Sequence, residues 1–108
     1  MKRLVITDPA ANDLGAIIDY IAAEDPLAAE RVYRGIVSSV ERLPSFPGLG
    51  RPGRYPETRE LSVAGLPYLI VYEVGSDVVT ILAVFHTSRD LAQVMHTRMH
   101  PGELPDAD

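Results

Sequence analysis

Two β-branched and aromatic runs joined by a three-residue turn constrain this chain more than anything else in it. Residues 68–74 (YLIVYEV) and 78–85 (VVTILAVF) flank Gly75, Ser76 and Asp77. Such runs about a Gly-bearing turn fold as a β-hairpin. Both runs are apolar almost throughout instead of alternating. That is the pattern of strands covered on both faces, so the hairpin belongs in the middle of a sheet. The second run then breaks into His86, Thr87, Ser88, Arg89 and Asp90. A buried strand that delivers polar groups at its exit is a natural place for a site.

The rest of the chain follows from local signals. Residues 2–7 read as a short first strand. Asp8-Pro9 and Asp25-Pro26 each read as a helix start, with Asp as the N-cap and Pro in the first turn. Leu14, Ile17, Ile18 and Ile21 then fall on one helical face, as do Ala29, Val32, Tyr33, Ile36, Val37, Val40 and Leu43 on the next. The two helices, so closely spaced, form an antiparallel hairpin laid on the sheet, and Gly15 and Gly35 are candidates for a close crossing between them. Residues 44–58 hold four Pro and three Gly, which excludes a helix or central strand. A loop this long is expected to be functional or mobile. Residues 59–63 read as a strand, and residues 90–99 as a short last helix. The expected fold is α+β: an N-terminal strand, an antiparallel helix hairpin packed on an antiparallel sheet meander, and a short C-terminal helix. The other sheet face is expected to stay partly open. Residues 1–100 form one domain and residues 101–108 an acidic tail.

Charge sharpens the functional reading. Residues 8–25 carry five acids and no base, and residues 101–108 carry three acids and no base. These segments supply −8 of a net −5, so the remainder sums to +3 and can present a basic surface. Nine of the ten basic residues are Arg, with Lys2 the exception. Arg suits planar, bidentate contacts with carboxylate or phosphate, although a GC-rich coding sequence would give the same ratio. There is no Cys, which excludes disulfides and thiolate metal ligation and fits the cytoplasm. The apolar start is too short for a signal peptide, and no run approaches the ~20 apolar residues needed to span a bilayer. His96 and His100 lack the Glu of a zinc-binding His-Glu-x-x-His helix, and no phosphate-cradling Gly loop or nucleophile elbow is present. No metal or cofactor is therefore expected. What remains is Arg51, Arg54, Arg59, His86 and Arg89, with Tyr55 and Tyr72 in support. Guanidiniums hold anions, and His or Tyr can move a proton or stack on a base. The same residues also read as structural, with Arg59 paired to an acid and His86 and Arg89 finishing a strand.

The ordered set of motifs resembles the RelE/ParE toxin superfamily over about residues 4–91. Asp8-Pro9-Ala10-Ala11-x-Asp13-Leu14 with Tyr20-Ile21-Ala22 resembles its first helix, and the run from Asp25 to Arg31 its second helix start. The segment 47–54 (PGLGRPGR) resembles its loop. Thr58-Arg59-Glu60-Leu61, Pro67-Tyr68-x-Ile70-x-Tyr72 and Ile81-Leu82-x-Val84-x-His86-x-x-Arg89 resemble its strands. The resemblance implies the toxin of a type II toxin–antitoxin (plasmid stabilisation) module, neutralised by a cognate antitoxin of ribbon-helix-helix type. RelE-like members are ribosome-dependent mRNA endonucleases, and Arg59 and His86 stand at positions resembling their catalytic Arg and His. ParE-like members poison DNA gyrase. Arg59-Glu60-Leu61 and His86-x-x-Arg89-Asp90 look more ParE-like, Thr87 stands where some nucleases have an aromatic residue, and the basic set has no Lys. These features favour gyrase as target. An mRNA endonuclease, or a non-toxic binding module of the same fold, is the alternative. The implied target-binding set is Arg51, Arg54, Arg59, His86 and Arg89, with Arg59, His86 and Arg89 the catalytic candidates if the protein is an enzyme.

Overall fold

The hairpin forms at the centre of the sheet. In the computed structural model, which describes residues 1–102, β4 (Tyr68–Val74) and β5 (Val78–His86) pair antiparallel from Tyr68↔His86 to Val74↔Val79. A bulge interrupts the register between Val71 and Tyr72. The Gly75 N–H donates to Val78 O at 2.7 Å and closes the turn. β3 (Arg59–Ser62) continues the meander antiparallel to β4. A two-residue strand β2 (Arg51–Pro52) adds to β3 from within the long loop. Pro52 is tolerated there because the strand is an edge.

The N-terminal strand expected beside the antiparallel meander joins it and makes the sheet mixed. β1 (Arg3–Ile6) pairs parallel to β5, giving the strand order β1-β5-β4-β3-β2. Parallel pairing needs a long crossover. The helix pair α1 (Asp8–Ala22) and α2 (Pro26–Arg42), which stands between β1 and the rest of the sheet in sequence, belongs to that connection.

The cap of α1 also differs by one residue. Thr7, not Asp8, is the N-cap: its Oγ1 accepts from Ala10 N at 3.3 Å and donates to Ile81 O at 2.9 Å. The last rung of β1 and the first turn of α1 thus share one hydroxyl. Asp25 caps α2 as expected, with its Oδ1 accepting from Ala28 N at 3.0 Å.

One core lies between the helix pair and the sheet. Val32, Ile36, Val40 and Leu43 are buried there against Ile70, Tyr72, Val79 and Ile81, and Leu14, Ile17, Ile18 and Ile21 are half-buried at its side. The two helical glycines do not mark a crossing. A Cβ on Gly15 would meet nothing within 4 Å, whereas one on Gly35 would lie 2.8 Å from Leu66 Cδ1. Gly35 makes room for the turn between β3 and β4.

The second sheet face is covered rather than open. α3 (Leu91–Met99) folds back so that Leu91 and Met95 bury Leu69, Val71, Leu82, Ala83 and Phe85. A polar clamp fastens it. Arg98 makes a bidentate pair with Asp13 at 2.7 and 3.0 Å and donates to Leu82 O at 3.1 Å. The Val84 N–H donates to Asp13 Oδ2 at 3.0 Å. β1 ends opposite Ile81, so the next backbone groups of β5 have no neighbouring strand there, and these two side chains take its place. Asp13, on the first helix, therefore faces the sheet and not solvent alone. Residues 103–108, most of the expected acidic tail, lie outside the described residues. Among the described residues no helix is long and apolar enough to cross a membrane.

Candidate functional site

The proline- and glycine-rich loop is built onto the sheet through its polar groups. The Tyr72 hydroxyl accepts from Gly50 N at 2.9 Å and donates to Pro47 O at 2.7 Å. Tyr72 is fully buried, so this hydroxyl is a fixture of the loop and not a free proton carrier. Gly50 passes so close that a Cβ would sit 2.7 Å from both Glu60 O and the Tyr72 hydroxyl. Arg59 Nε donates to Gly50 O at 3.1 Å.

Glu60 organises the loop arginines. Its side chain is 1 % exposed. The Arg54 N–H donates to its Oε2 at 2.7 Å, and the Arg54 guanidinium reaches both carboxylate oxygens at 3.4 and 3.3 Å. Arg51 Nη2 lies 3.6 Å from Oε1. Burial pushes the Glu60 carboxyl up, but the Arg54 N–H, the Arg54 guanidinium and Arg51 outweigh it and hold it below its ordinary value. The side chains of Arg51 and Arg54 remain 70 % and 58 % exposed, so most of their donors face solvent. One buried carboxylate thus holds two cations in place and leaves a net positive patch.

The five candidates do not converge. Arg59 pairs across from Tyr72 and His86 across from Tyr68, so both belong to the sheet face under the helix pair, at opposite ends. Four residues along β4 and two strand spacings separate them, roughly 14 Å along and about 10 Å across. Glu60, with its two arginines, pairs across from Val71 and belongs to the face under α3. Arg89 follows β5 into α3, and among the described residues its guanidinium has no hydrogen bond or ion pair. Tyr55 is drawn away too, its hydroxyl 3.0 Å from His100 Nε2. His96 and His100 stack with centroids 4.4 Å apart. Among the described residues no group of three or more potential metal ligands forms.

Sequence reasoning missed three residues that shape the surface: Glu60, Asp13 and Arg98. Strand alternation places Glu60 on the face opposite Arg59 and Leu61, which was a readable sign of inward charge. Nothing local marks Asp13 and Arg98 as partners.

A separate feature is an apolar groove of about 410 Å³ where β1, α1 and α2 meet, lined by Leu4, Ile6, Leu14, Ile18, Val37 and Ile81 among others. Ile6 stays 51 % exposed beside it. Asp19 and Glu41 are the acids in its wall.

Comparison with known proteins agrees with this fold. Residues 4–91 match the family model described as ParE toxin of type II toxin-antitoxin system, parDE. The putative toxin Y4kP of Sinorhizobium fredii is 43 % identical over 94 residues, covering 87 % of this chain and 97 % of the relative. Toxin RelE2 of Caulobacter vibrioides is 37 % identical over 89 residues, covering 82 % and 99 %. Among solved structures, a chain of the chromosomal ParDE TA system from P. aeruginosa superposes with a TM-score of 0.72 at 30 % identity, covering 80 % of this chain and 96 % of that one.

Proposed function

This chain belongs to the ParE toxin family of type II toxin–antitoxin systems, and from that premise we propose that it arrests growth by docking on DNA gyrase in the cytoplasm, without cleaving RNA, until a cognate antitoxin covers it. The observation that carries the choice of target is the separation of Arg59 from His86. Phosphodiester cleavage needs the groups that activate the nucleophile and stabilise the phosphate within reach of one reacting centre. Here they stand at opposite ends of a sheet face, and Arg59 is tied to Gly50 O. A spread of hydrogen-bond donors, with Arg51 and Arg54 on the α3 side of the sheet and His86 and Arg89 at the exit of β5, suits docking on a large partner better than chemistry at a point.

The antitoxin reading draws on the relative described as a ParDE TA system and on the groove. An apolar groove flanked by a half-exposed Ile6 fits the apolar face of an amphipathic segment from a ribbon-helix-helix antitoxin. A purified sample tests the target directly. Inhibition of gyrase supercoiling, with no cleavage of mRNA in a translation extract, is the expected pair of results. Ribosome-dependent cleavage with untouched gyrase would replace this reading by the endonuclease, and absence of growth arrest on induction would leave a non-toxic binding module.

A further inference from the structure

The imidazole of His86 is fixed in a way that decides its chemistry. Two donors converge on Nδ1. The Ser88 backbone N–H lies 3.1 Å away and can only donate. The Ser88 Oγ lies 2.8 Å away. A ring nitrogen that accepts carries a lone pair and no hydrogen, so the proton of the neutral ring sits on Nε2. The Tyr68 ring stands edge-on to the imidazole, with centroids 5.4 Å apart at 86°, and restrains its rotation. The turn itself is anchored by Thr87 N–H to Pro67 O at 2.9 Å and Arg89 N–H to His86 O at 3.0 Å, which keeps Ser88 under the ring.

We propose that Ser88 is a positioning residue that locks His86 in the Nε2–H tautomer, making the exit of β5 a hydrogen-bond donor site for an oxygen acceptor on the target and not a general base. The inference rests on the reading of this exit as part of the target-contacting surface. A general base must offer a lone pair to the hydroxyl it deprotonates. The lone pair of this ring is at Nδ1, where both Ser88 donors occupy it. Nε2 presents a hydrogen. Arg89, three residues on, adds further donors and no acceptor.

Long-range ¹H–¹⁵N spectra of uniformly labelled protein above neutral pH read the tautomer, with a His86→Gln sample identifying the signals. Nδ1 of His86 is expected at a pyridine-like shift and Nε2 at a pyrrole-like one. Ser88→Ala keeps the backbone donor but loses the hydroxyl and draws the two shifts part of the way together, while Ser88→Thr, which retains a hydroxyl, leaves them apart at an unchanged melting temperature. A proton on Nδ1, or averaged shifts in the wild type, overturns the lock whatever the toxicity. Unchanged shifts in Ser88→Ala take the role away from the serine side chain. Growth arrest supplies the second arm. His86→Gln places amide hydrogens near the position of Nε2–H but cannot take up a proton, so it retains arrest within a few-fold while His86→Ala loses it. A folded His86→Gln as inactive as His86→Ala overturns the donor role. A fully toxic His86→Ala removes His86 from the target surface, a failure of the functional reading that the spectra keep distinct from the tautomer lock.

Discussion

A buried carboxylate between two exposed guanidiniums is sensitive to pH in a defined direction. The ordinary value for Glu60 is 4.5, and in the fold it is lowered, because the Arg54 N–H and the two guanidiniums outweigh the burial that would raise it. A carboxyl more acidic in the folded state stabilises the protein above its unfolded value, and that contribution fades as pH falls through the folded value. Glu60→Gln should therefore cost roughly 1–3 kcal/mol near neutral pH. The gap in melting temperature from wild type should narrow as pH is lowered below 4.5; a gap that stays constant would show that charge is not what Glu60 contributes. At this scale the sequence was legible for the cations and less so for what holds them. Arg51, Arg54 and Arg59 are visible as residue types, but alternation along β3 sends Arg59 and Glu60 to opposite faces, and only pairing against β4 says what lies on each.

At the scale of elements, the duplicated Asp-Pro signal placed both long helices, and the apolar stripe of α2 placed its buried face. Ile36 is 1 % exposed, so Ile36→Ala should lower stability by about 2–5 kcal/mol in denaturant melts, and a loss well under 1 kcal/mol would mean the helix pair is not the lid of the core. The last helix was legible as an element and not as a cover. Leu91, Val94 and Met95 declare an apolar face, but its destination is set partly by Arg98 meeting Asp13, 85 residues away in sequence. No local pattern encodes that distance. The clamp predicts coupling: Asp13→Asn and Arg98→Ala should each loosen α3, and their double-mutant cycle should return an interaction of roughly 0.5–3 kcal/mol. Amide exchange of residues 91–99 reads the same event, and strictly additive effects with undisturbed exchange would refute the clamp.

At the scale of the whole molecule, the parallel entry of β1 turns a meander into a mixed sheet and creates the groove. Sequence patterning marks residues 2–7 as a strand, but the identity of a strand's neighbour is a long-range property that periodicity does not carry. Once β1 lies beside β5, Leu4 and Ile6 extend the sheet face, and α1 and α2 close the other side of an apolar groove. An apolar residue left at the surface contributes little to folding, so a charge there should be nearly silent in the isolated protein. Ile6 is such a residue, 51 % exposed. Ile6→Lys should leave the melting temperature within a few degrees of wild type yet abolish copurification with a cognate antitoxin, because seating an apolar segment on a buried lysine costs binding. Co-expression with that antitoxin makes the consequence visible: cells carrying the wild type grow, and cells carrying Ile6→Lys arrest. Full rescue of the Ile6→Lys cells, with the complex still isolated at wild-type yield, would place the antitoxin elsewhere on the molecule.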